Sequence, residues 1–554
     1  MHPSTVAKRG TVLLFLVVVA FYFYGLDYLP FVGPDEPRYA QVAREMFLRR
    51  DLITPTLGGH TWFEKPALLY WMMIASFKLF GVSEWAARLP AAISGVLTVA
   101  AVYCIGRRVE SNSADQTLRG YGFWSALASA TTLGVVVFSR AASFDIILTM
   151  TTTWTLTCYL LYELEETAKL RRWLLVGFYT FIGLSLLAKG LVGIVIPIGV
   201  VGLYHFFRRR PPERKAFISL FWGIPLALMV AAIWYAPVIW RHGWLFVDQF
   251  FIQHHFARYV SNKYHHWRPV YYYLLVIPLL ALPWSAFLID GLLQAGRRSW
   301  RAKAPASDRP HDRLDTVLVF ALAWFSFPLL FFSFANSKLP GYILPVLPAA
   351  ALIVGEQLRR VSSEHKNSNW AVKTTAALCL FFAIGALAYA WSARDLPVGC
   401  AFLLEAPLCI AGGFAILLPR KTAATILVIA GATFAVLIVA LRCAAPGAAD
   451  LESSKRLLQL ADARGYSRAV VYGMRRSDRT PEFYAAGRVV YGADGEPIMY
   501  EEPSPVIDES KRRGEAVLAF VPLEEVSRLT GMASAQTDVI GNNGRYAIVA
   551  VRGR

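Results

Sequence analysis

About thirteen apolar runs, each near the ~20 residues that take an α-helix across a hydrocarbon core of about 30 Å, fill residues 1–444. They lie near 10–30, 86–106, 121–139, 144–163, 172–187, 190–207, 217–240, 269–294, 315–335, 342–358, 371–392, 398–418 and 422–443. Such a chain has few ways to fold, because lipid offers no hydrogen-bond partner and each run must satisfy its own backbone as a helix. Composition agrees: 56% of the 554 residues are hydrophobic and 17% are charged, whereas soluble domains carry about 25% charged residues. Soluble, disordered, collagen-like and disulfide-stapled classes are excluded. The six cysteines lie in or beside apolar runs without metal-type spacing. They read as small core residues, with a Cys400–Cys443 bridge left open.

The net charge of +18 invites a nucleic-acid reading, but the basic residues are not gathered into one groove. Lys8-Arg9, Arg107-Arg108 with Arg119, Lys169 to Arg172, Arg208 to Lys215, Arg297 to Arg313, Arg359-Arg360 and Arg420-Lys421 fall between alternate runs. By the positive-inside rule these clusters share the cytoplasmic side. That puts the N-terminus inside and, with an odd number of spans, the C-terminus outside. The first run is too long for a signal peptide and lacks a small-residue cleavage site, so it is expected to stay as an anchor. From residue 445 the pattern turns mixed. A helix-like stretch near 453–461 and strand-like stretches at 468–472, 488–491, 516–520 and 546–550 predict a soluble α/β domain over 445–554. The expected fold is mainly α and polytopic, with that α/β domain appended.

Two long outer loops, 31–85 and 241–268, and three tight outer turns carry charges that the membrane setting makes costly. Asp35-Glu36 follows the first run. Adjacent carboxylates repel, so one is expected to face a ligand and the other a structural partner, unless they only start the helix through Tyr39. Glu64-Lys65-Pro66 opens an apolar stretch that reads as an interfacial helix. Asp145 opens a span, where Ser143 or Asp145 could equally serve as an N-cap. Lys189 and Lys338 sit in outer turns, against the loop bias. The second loop holds His254-His255, Arg258 and His265-His266. Each group alone has a bland reading as a cap, an ion pair or an interface anchor. Together they place cations suited to phosphate and carboxylates suited to sugar hydroxyls, a metal or a reacting group on one membrane face. That combination asks for a phosphorylated lipid carrying a sugar.

The motifs Asp35-Glu36 with Arg38-Tyr39, Phe63-Glu64-Lys65-Pro66, Phe144-Asp145, Lys189-Gly190 and Ser337-Lys338-Leu339-Pro340-Gly341-Tyr342 resemble those of the GT-C glycosyltransferases related to protein O-mannosyltransferases. The resemblance is closer to the bacterial lipid A 4-amino-4-deoxy-L-arabinose transferases of the inner membrane, and it covers about residues 10–360. It implies transfer of aminoarabinose from undecaprenyl phosphate to a lipid A phosphate on the periplasmic side, with resistance to polymyxin and other cationic peptides as the outcome. On that reading Asp35, Glu36 and Asp145 are the catalytic candidates. Arg38, Tyr39, Lys65, Lys189, Arg258, Lys338 and Tyr342 hold the donor phosphate and substrate. Glu64 with His255 and His266 forms a metal set that suits zinc. A phosphate acceptor is already anionic, so Asp35 is expected to position sugar or acceptor rather than to remove a proton. The expected partners are the polyprenyl-linked donor, lipid A and membrane lipids, with no nucleic acid. Two other readings are a polyprenyl-phosphate-sugar transferase acting on protein hydroxyls or another glycan, and a lipid-linked sugar flippase. The flippase would spread charges along a midplane path, whereas these gather at one surface.

Overall fold

The computed structural model describes residues 3–111, 118–257, 268–301, 313–363, 370–393, 397–418, 421–475 and 479–554. Arg258 and His266 lie outside the described residues, as does the side chain of His255. The chain divides into two compact units. One comprises Met1–Tyr24, Glu64–Leu69 and Leu89–Val439; the other comprises Gly25–Phe63, Tyr70–Arg88 and Ala440–Arg554.

The first part of the chain forms helices α1 (Pro3–Phe23), α2 (Asp35–Arg49), α3 (Leu68–Phe80), α4 (Glu84–Ser111), α5 (Tyr121–Thr131), α6 (Leu133–Ser139), α7 (Phe144–Leu164), α8 (Ala168–Lys189), α9 (Val192–Arg208) and α10 (Arg214–His242). Further long helices cover Arg313–Ser333, Leu347–Ser363, Trp370–Ala393, Val398–Leu417 and Thr422–Val439. Among the described residues eight helices are long and apolar enough to cross a membrane, or ten when two bent pairs each count as one span. The ~20-residue rule predicts about thirteen, and the differences have local causes. Helix α9 is apolar but only 17 residues long. Helix α7 is diluted by threonines, whose hydroxyls bond back one turn, Thr149 to Asp145 O at 2.7 Å and Thr153 to Thr149 O at 2.6 Å.

The expected span 121–139 breaks by 59° between α5 and α6. Thr132 leaves the helix with extended backbone there, and the Leu133 N–H bonds instead to Leu282 O at 2.8 Å. The run 269–294 likewise bends by 117° between its two helices, Tyr272–Leu280 and the one beginning at Ser285. Burial grades the spans. The apolar window of Pro340–Ser363 is 94% buried and that of α10 is 22% buried, so the former is central to its unit and the latter faces outward to lipid.

In the second unit a small antiparallel pair, β1 (Thr56–Leu57) with β2 (His60–Thr61), follows α2. The C-terminal segment forms β3 (Val471–Met474), β4 (Met499–Tyr500), β5 (Val517–Pro522), β6 (Ala535–Asn542) and β7 (Tyr546–Gly553) in the order β4-β3-β5-β7-β6. β3 runs parallel to β4 and β5, and β7 runs antiparallel to β5 and β6. Side-chain alternation divides the central strands between two cores. Val517, Ala519 and Val521 face one with Val549 and Val551, and Leu518 and Phe520 face the other with Ile548 and Ala550. β5 is buried along its whole length, as a strand covered on both faces must be. Among the described residues Cys104, Cys158, Cys379 and Cys409 are free thiols.

Candidate active site

Within the membrane-helix unit, a cavity of about 100 Å³ brings together Glu64, Lys65, Lys189, His254, Ser337 and Tyr342, backed by the rings of Phe331 and Phe332. The segments that supply these residues are far apart in sequence. Glu64 and Lys65 precede α3, Lys189 ends α8, and Ser337 and Tyr342 lie in the loop and 3₁₀ turn before Leu347–Ser363. Lys65 Nζ donates to Glu64 Oε1 at 2.7 Å, with both side chains largely buried. Lys189 forms an ion pair with Asp145, and its ammonium lies 4.6 Å from the centre of the Tyr342 ring.

Asp145 is held by its place in the chain. Ser143 caps α7 by accepting the Asp145 N–H at 3.1 Å, so the cap is the serine and the Asp145 carboxylate is directed to Lys189. Gly341 makes room for it: a Cβ at that position would collide with Asp145 Oδ2 and stand 2.8 Å from Phe138 Cε1. This close approach explains why a glycine follows Pro340 in the run from Ser337 to Tyr342.

Lys338, expected to hold phosphate, is bonded to backbone carbonyls in this structure. It is 4% exposed and donates to the carbonyls of Arg268 at 2.9 Å and Ala335 at 2.5 Å. It does not line the cavity. Burial pushes its ammonium below the ordinary lysine range. Lys338 therefore fixes the loop, and Tyr273 braces the same loop by donating to Leu339 O at 3.1 Å. The neighbouring Ser337 is the residue that lines the cavity. Its hydroxyl is itself shut away from the surface, with no hydrogen-bond partner among the described residues. Sequence reading assigns Ser337 no role of its own, and it favours His255 over His254.

The second unit holds the Asp-Glu pair, and there the two carboxylates part company. Glu36 is grasped bidentately by Arg88, with Nε to Oε1 and Nη2 to Oε2 both at 2.8 Å. Arg88 also donates to the carbonyls of Leu26, Leu29 and Pro30 at 2.7, 2.6 and 3.1 Å, so all five of its N–H groups are engaged. Asp35 instead stands 55% exposed, bound to Arg38 Nη2 at 2.8 Å. Neither carboxylate caps α2, whose N-cap is Pro34 without a side-chain bond; both sit in its first turn, where the helix dipole favours them. Glu36 is thus engaged on both oxygens by Arg88, and Tyr39 is buried within α2. Sequence reading does not single out Arg88, although a lone arginine three residues after Trp85 at the head of an apolar run is the available signal.

Of the expected metal set, only Glu64 has a described side chain, and its carboxylate is engaged by Lys65. Among the described residues no three His, Cys, Asp or Glu side chains gather as a metal site would require.

Residues 64–240, which include Glu64, Lys65, Asp145 and Lys189, match the family model for dolichyl-phosphate-mannose-protein mannosyltransferase. Over 390 residues, 69% of this chain and 66% of the relative, the sequence is 30% identical to the undecaprenyl phosphate-alpha-4-amino-4-deoxy-L-arabinose arabinosyl transferase of Pseudomonas aeruginosa strain UCBPP-PA14. The two proteins are homologous. The transferase of the same name from Yersinia enterocolitica is 30% identical over 67% of this chain and 63% of its own length. The chain thus aligns with just under two thirds of these relatives. The crystal structure of ArnT from Cupriavidus metallidurans bound to undecaprenyl phosphate matches with a TM-score of 0.77 at 24% identity, over 97% of both chains. The chain has the fold of that transferase, and it is a multi-span membrane protein of the same type.

Proposed function

We propose that this protein is an integral-membrane glycosyltransferase that moves 4-amino-4-deoxy-L-arabinose from undecaprenyl phosphate to a phosphate of lipid A. The observation that carries the proposal is the cavity lined by Lys65, Lys189 and Ser337 against Phe331 and Phe332. Cations and a hydroxyl donor suit a phosphate, and the aromatic wall suits the first carbons of a lipid tail. The names of the homologous arabinosyl transferases supply the sugar and the carrier.

In the reaction a bond from the sugar to the lipid phosphate breaks, and the departing phosphate gains charge without needing a proton. Lys65, Lys189 and Ser337 would stabilise that charge, a kind of contribution worth roughly a hundredfold or more per donor in other enzymes. Asp145 keeps Lys189 oriented. Asp35, exposed at the start of α2, would orient the sugar's amino group or the incoming acceptor. Arg258 belongs to the phosphate-binding set in the same proposal. A zinc ion held by Glu64, His255 and His266 would act beside the donor phosphate; since Lys65 already engages Glu64, no step of the transfer is routed through it. Dialysis against a chelator tests the ion: loss of transfer that zinc restores would support it, and an unchanged rate would remove it.

We place the protein in the bacterial inner membrane, with the N-terminus and basic loops in the cytoplasm and the catalytic residues and C-terminal segment in the periplasm, on the strength of the charge alternation. Asp35→Cys and Arg209→Cys, each introduced singly into a protein whose free cysteines are replaced, should differ when intact cells are labelled from outside. Reaction at the first only supports this topology, and reaction at the second would reverse it.

The deciding experiment is mass spectrometry of lipid A from cells carrying the protein or its Asp35→Asn variant. Aminoarabinose adducts should appear with the first and vanish with the second at equal protein level. The mannosyltransferase family match favours a second reading, a protein acceptor, which would leave lipid A unmodified and place the sugar on protein hydroxyls.

A further inference from the structure

In the membrane-helix unit a second cavity, of about 330 Å³, opens among the last residues of α7 and α9 and the first of the helix Arg313–Ser333. That helix carries Phe331 and Phe332 of the candidate active site at its far end. Its 21 residues, at 1.5 Å each, measure about 30 Å, which is the thickness of a hydrocarbon core. The second cavity therefore lies at the headgroup level of the other leaflet. Three of the four carboxylates in its lining are answered: Glu165 pairs with Arg108, Glu166 with Arg313 at 2.8 Å, and Glu213 with Arg171 at 2.6 Å. Glu163 forms no ion pair among the described residues, and its Oε1 accepts no hydrogen bond from them. Arg208, the last residue of α9, lines the same cavity and also forms no ion pair among the described residues.

The turn that follows α9 is fixed by its own bonds. Arg209 takes a left-handed conformation at φ 51°, and its N–H closes the helix on the carbonyls of His205 and Phe206. A carbonyl can only accept, so His205 Nδ1 donates to Arg210 O at 2.9 Å, while Nε2 lies 2.7 Å from the Tyr159 hydroxyl. Beside this turn a further cavity of about 520 Å³ shares His205, Arg210 and Pro211 with the first and adds Phe206 and Phe207. Phe206 is 74% exposed, as an aromatic ring at a lipid boundary can be. A charged pocket thus adjoins an open aromatic surface at headgroup depth.

We propose that these two cavities together bind a phospholipid whose headgroup carries both a phosphate and a primary ammonium, the phosphatidylethanolamine class. The phosphate goes to Arg208 with Arg210 beside it, the ammonium to Glu163, and the first acyl carbons to Phe206 and Phe207. Arginines in a basic loop are ordinarily solvated, but Arg208 is only partly exposed and shares its cavity with a carboxylate that has no counter-ion. Such a carboxylate is costly at the edge of a membrane. An anionic lipid without an amine would leave it so, and a choline headgroup would offer it no N–H. A soluble amino phosphate would make the same polar contacts and gain nothing from the aromatic surface. The site is independent of the transfer reaction and of the sugar transferred.

The test titrates full-length protein, washed free of lipid in detergent, with phosphatidylethanolamine, phosphatidylglycerol and phosphatidylcholine of the same acyl chains, and reads bound lipid by native mass spectrometry. The parent should bind phosphatidylethanolamine roughly tenfold more tightly than the other two. Arg208→Gln should weaken that binding by roughly tenfold, and Glu163→Gln should bring phosphatidylethanolamine and phosphatidylglycerol level. Equal binding of the two lipids by the parent, or parent affinity for phosphatidylethanolamine in both variants, would overturn the proposal. Displacement of the lipid by an equal concentration of free phosphoethanolamine would also overturn it, in favour of a soluble ligand. Undecaprenyl phosphate should bind Arg208→Gln as it binds the parent; a parallel loss of both ligands would make Arg208 a residue that holds the helices and would overturn the proposal as well. Should Glu163→Gln fail to accumulate, Arg208→Gln and the comparison of the three lipids on the parent decide the matter.

Discussion

Arg88 and Lys189 are both cations bound to a carboxylate near the end of an apolar helix, yet their surroundings differ in kind. Arg88 is enclosed: two of its bonds go to Glu36 and three to backbone carbonyls that the fold has already fixed. Lys189 is paired with Asp145 but lines an open cavity, with an aromatic face on one side and the buried Ser337 hydroxyl among its neighbours in the lining. A cation whose donors all end on fixed protein groups holds the fold, and a cation lining a cavity is placed to meet something from outside. Residue type alone does not separate the two; the destination of the hydrogen bonds does.

The contrast breaks first at Arg88. Arg88→Met should cost about 3–5 kcal/mol, because it leaves a buried carboxylate without its counter-ion and three carbonyls without donors. The protein should fail to accumulate in the membrane, as read by immunoblot and by its unfolding midpoint. Lys189→Met should accumulate normally and lose transfer. Equal loss of protein in both variants would show that the two sites do the same work.

Ser337 sharpens the contrast from the cavity side. Ser337→Ala removes the hydroxyl that the proposed function assigns to the donor phosphate. Donor affinity should fall by about 1.5–3 kcal/mol, the worth of a hydrogen bond to a charged group, with the unfolding midpoint unchanged or slightly raised. A drop in stability with unchanged affinity for undecaprenyl phosphate, measured by calorimetry, would make Ser337 a structural residue. Gly341→Ala comes next. A methyl group in collision with Asp145 Oδ2 must displace either the carboxylate or the loop, at about 1–3 kcal/mol, and Asp145 should no longer hold Lys189. Transfer should fall further than stability, and a variant that retains full activity would show that the Asp145–Lys189 pair is dispensable.

How far the sequence discloses such differences depends on whether the signal is local. Apolar runs are local, so the helical class and the sheet character of the C-terminal segment are legible. The span count is not. Whether a run stays straight depends on distant partners: Leu282 O draws the Leu133 N–H out of the helix just beyond Thr132, and no window of sequence contains both. β6 escapes a sequence reading because Ala535–Asn542 carries Gln536, Thr537, Asp538 and Asn542 at a sheet edge, where the alternating apolar signal is lost. The need for glycine at 341, and the partners of Asp35 and Glu36, are likewise questions of distant contact. Sequence reading expects the two carboxylates of the pair to part, but Arg88, which binds Glu36, lies 52 residues away.

The smallest effect lies in the C-terminal sheet, where charges are exposed and should matter least. Glu509 accepts hydrogen bonds from Arg512, Tyr472 and Arg513, and these hold its carboxyl down at about 2, against an ordinary 4.5. A carboxylate held low in the folded state stabilises the fold above pH 4.5, and that stabilisation fades as pH falls from 4.5 toward 2 and the unfolded chain binds the proton more readily. Arg512 is 71% exposed, so water screens the interaction and the gain is on the order of 1 kcal/mol or less. Hydrogen exchange of the β3 and β5 amides in the full-length protein should therefore be faster at about pH 3 than at about pH 6, once corrected for intrinsic rates, and Glu509→Gln should remove part of that difference. The same substitution should leave exchange in α7 and α8 untouched, because the partners of Glu509 all lie in the sheet and its covering helix. A Glu509→Gln protein with the full pH dependence of the parent would mean that the carboxylate gives the sheet no net support, and that enclosure of the kind Arg88 has is what turns an ion pair into stability.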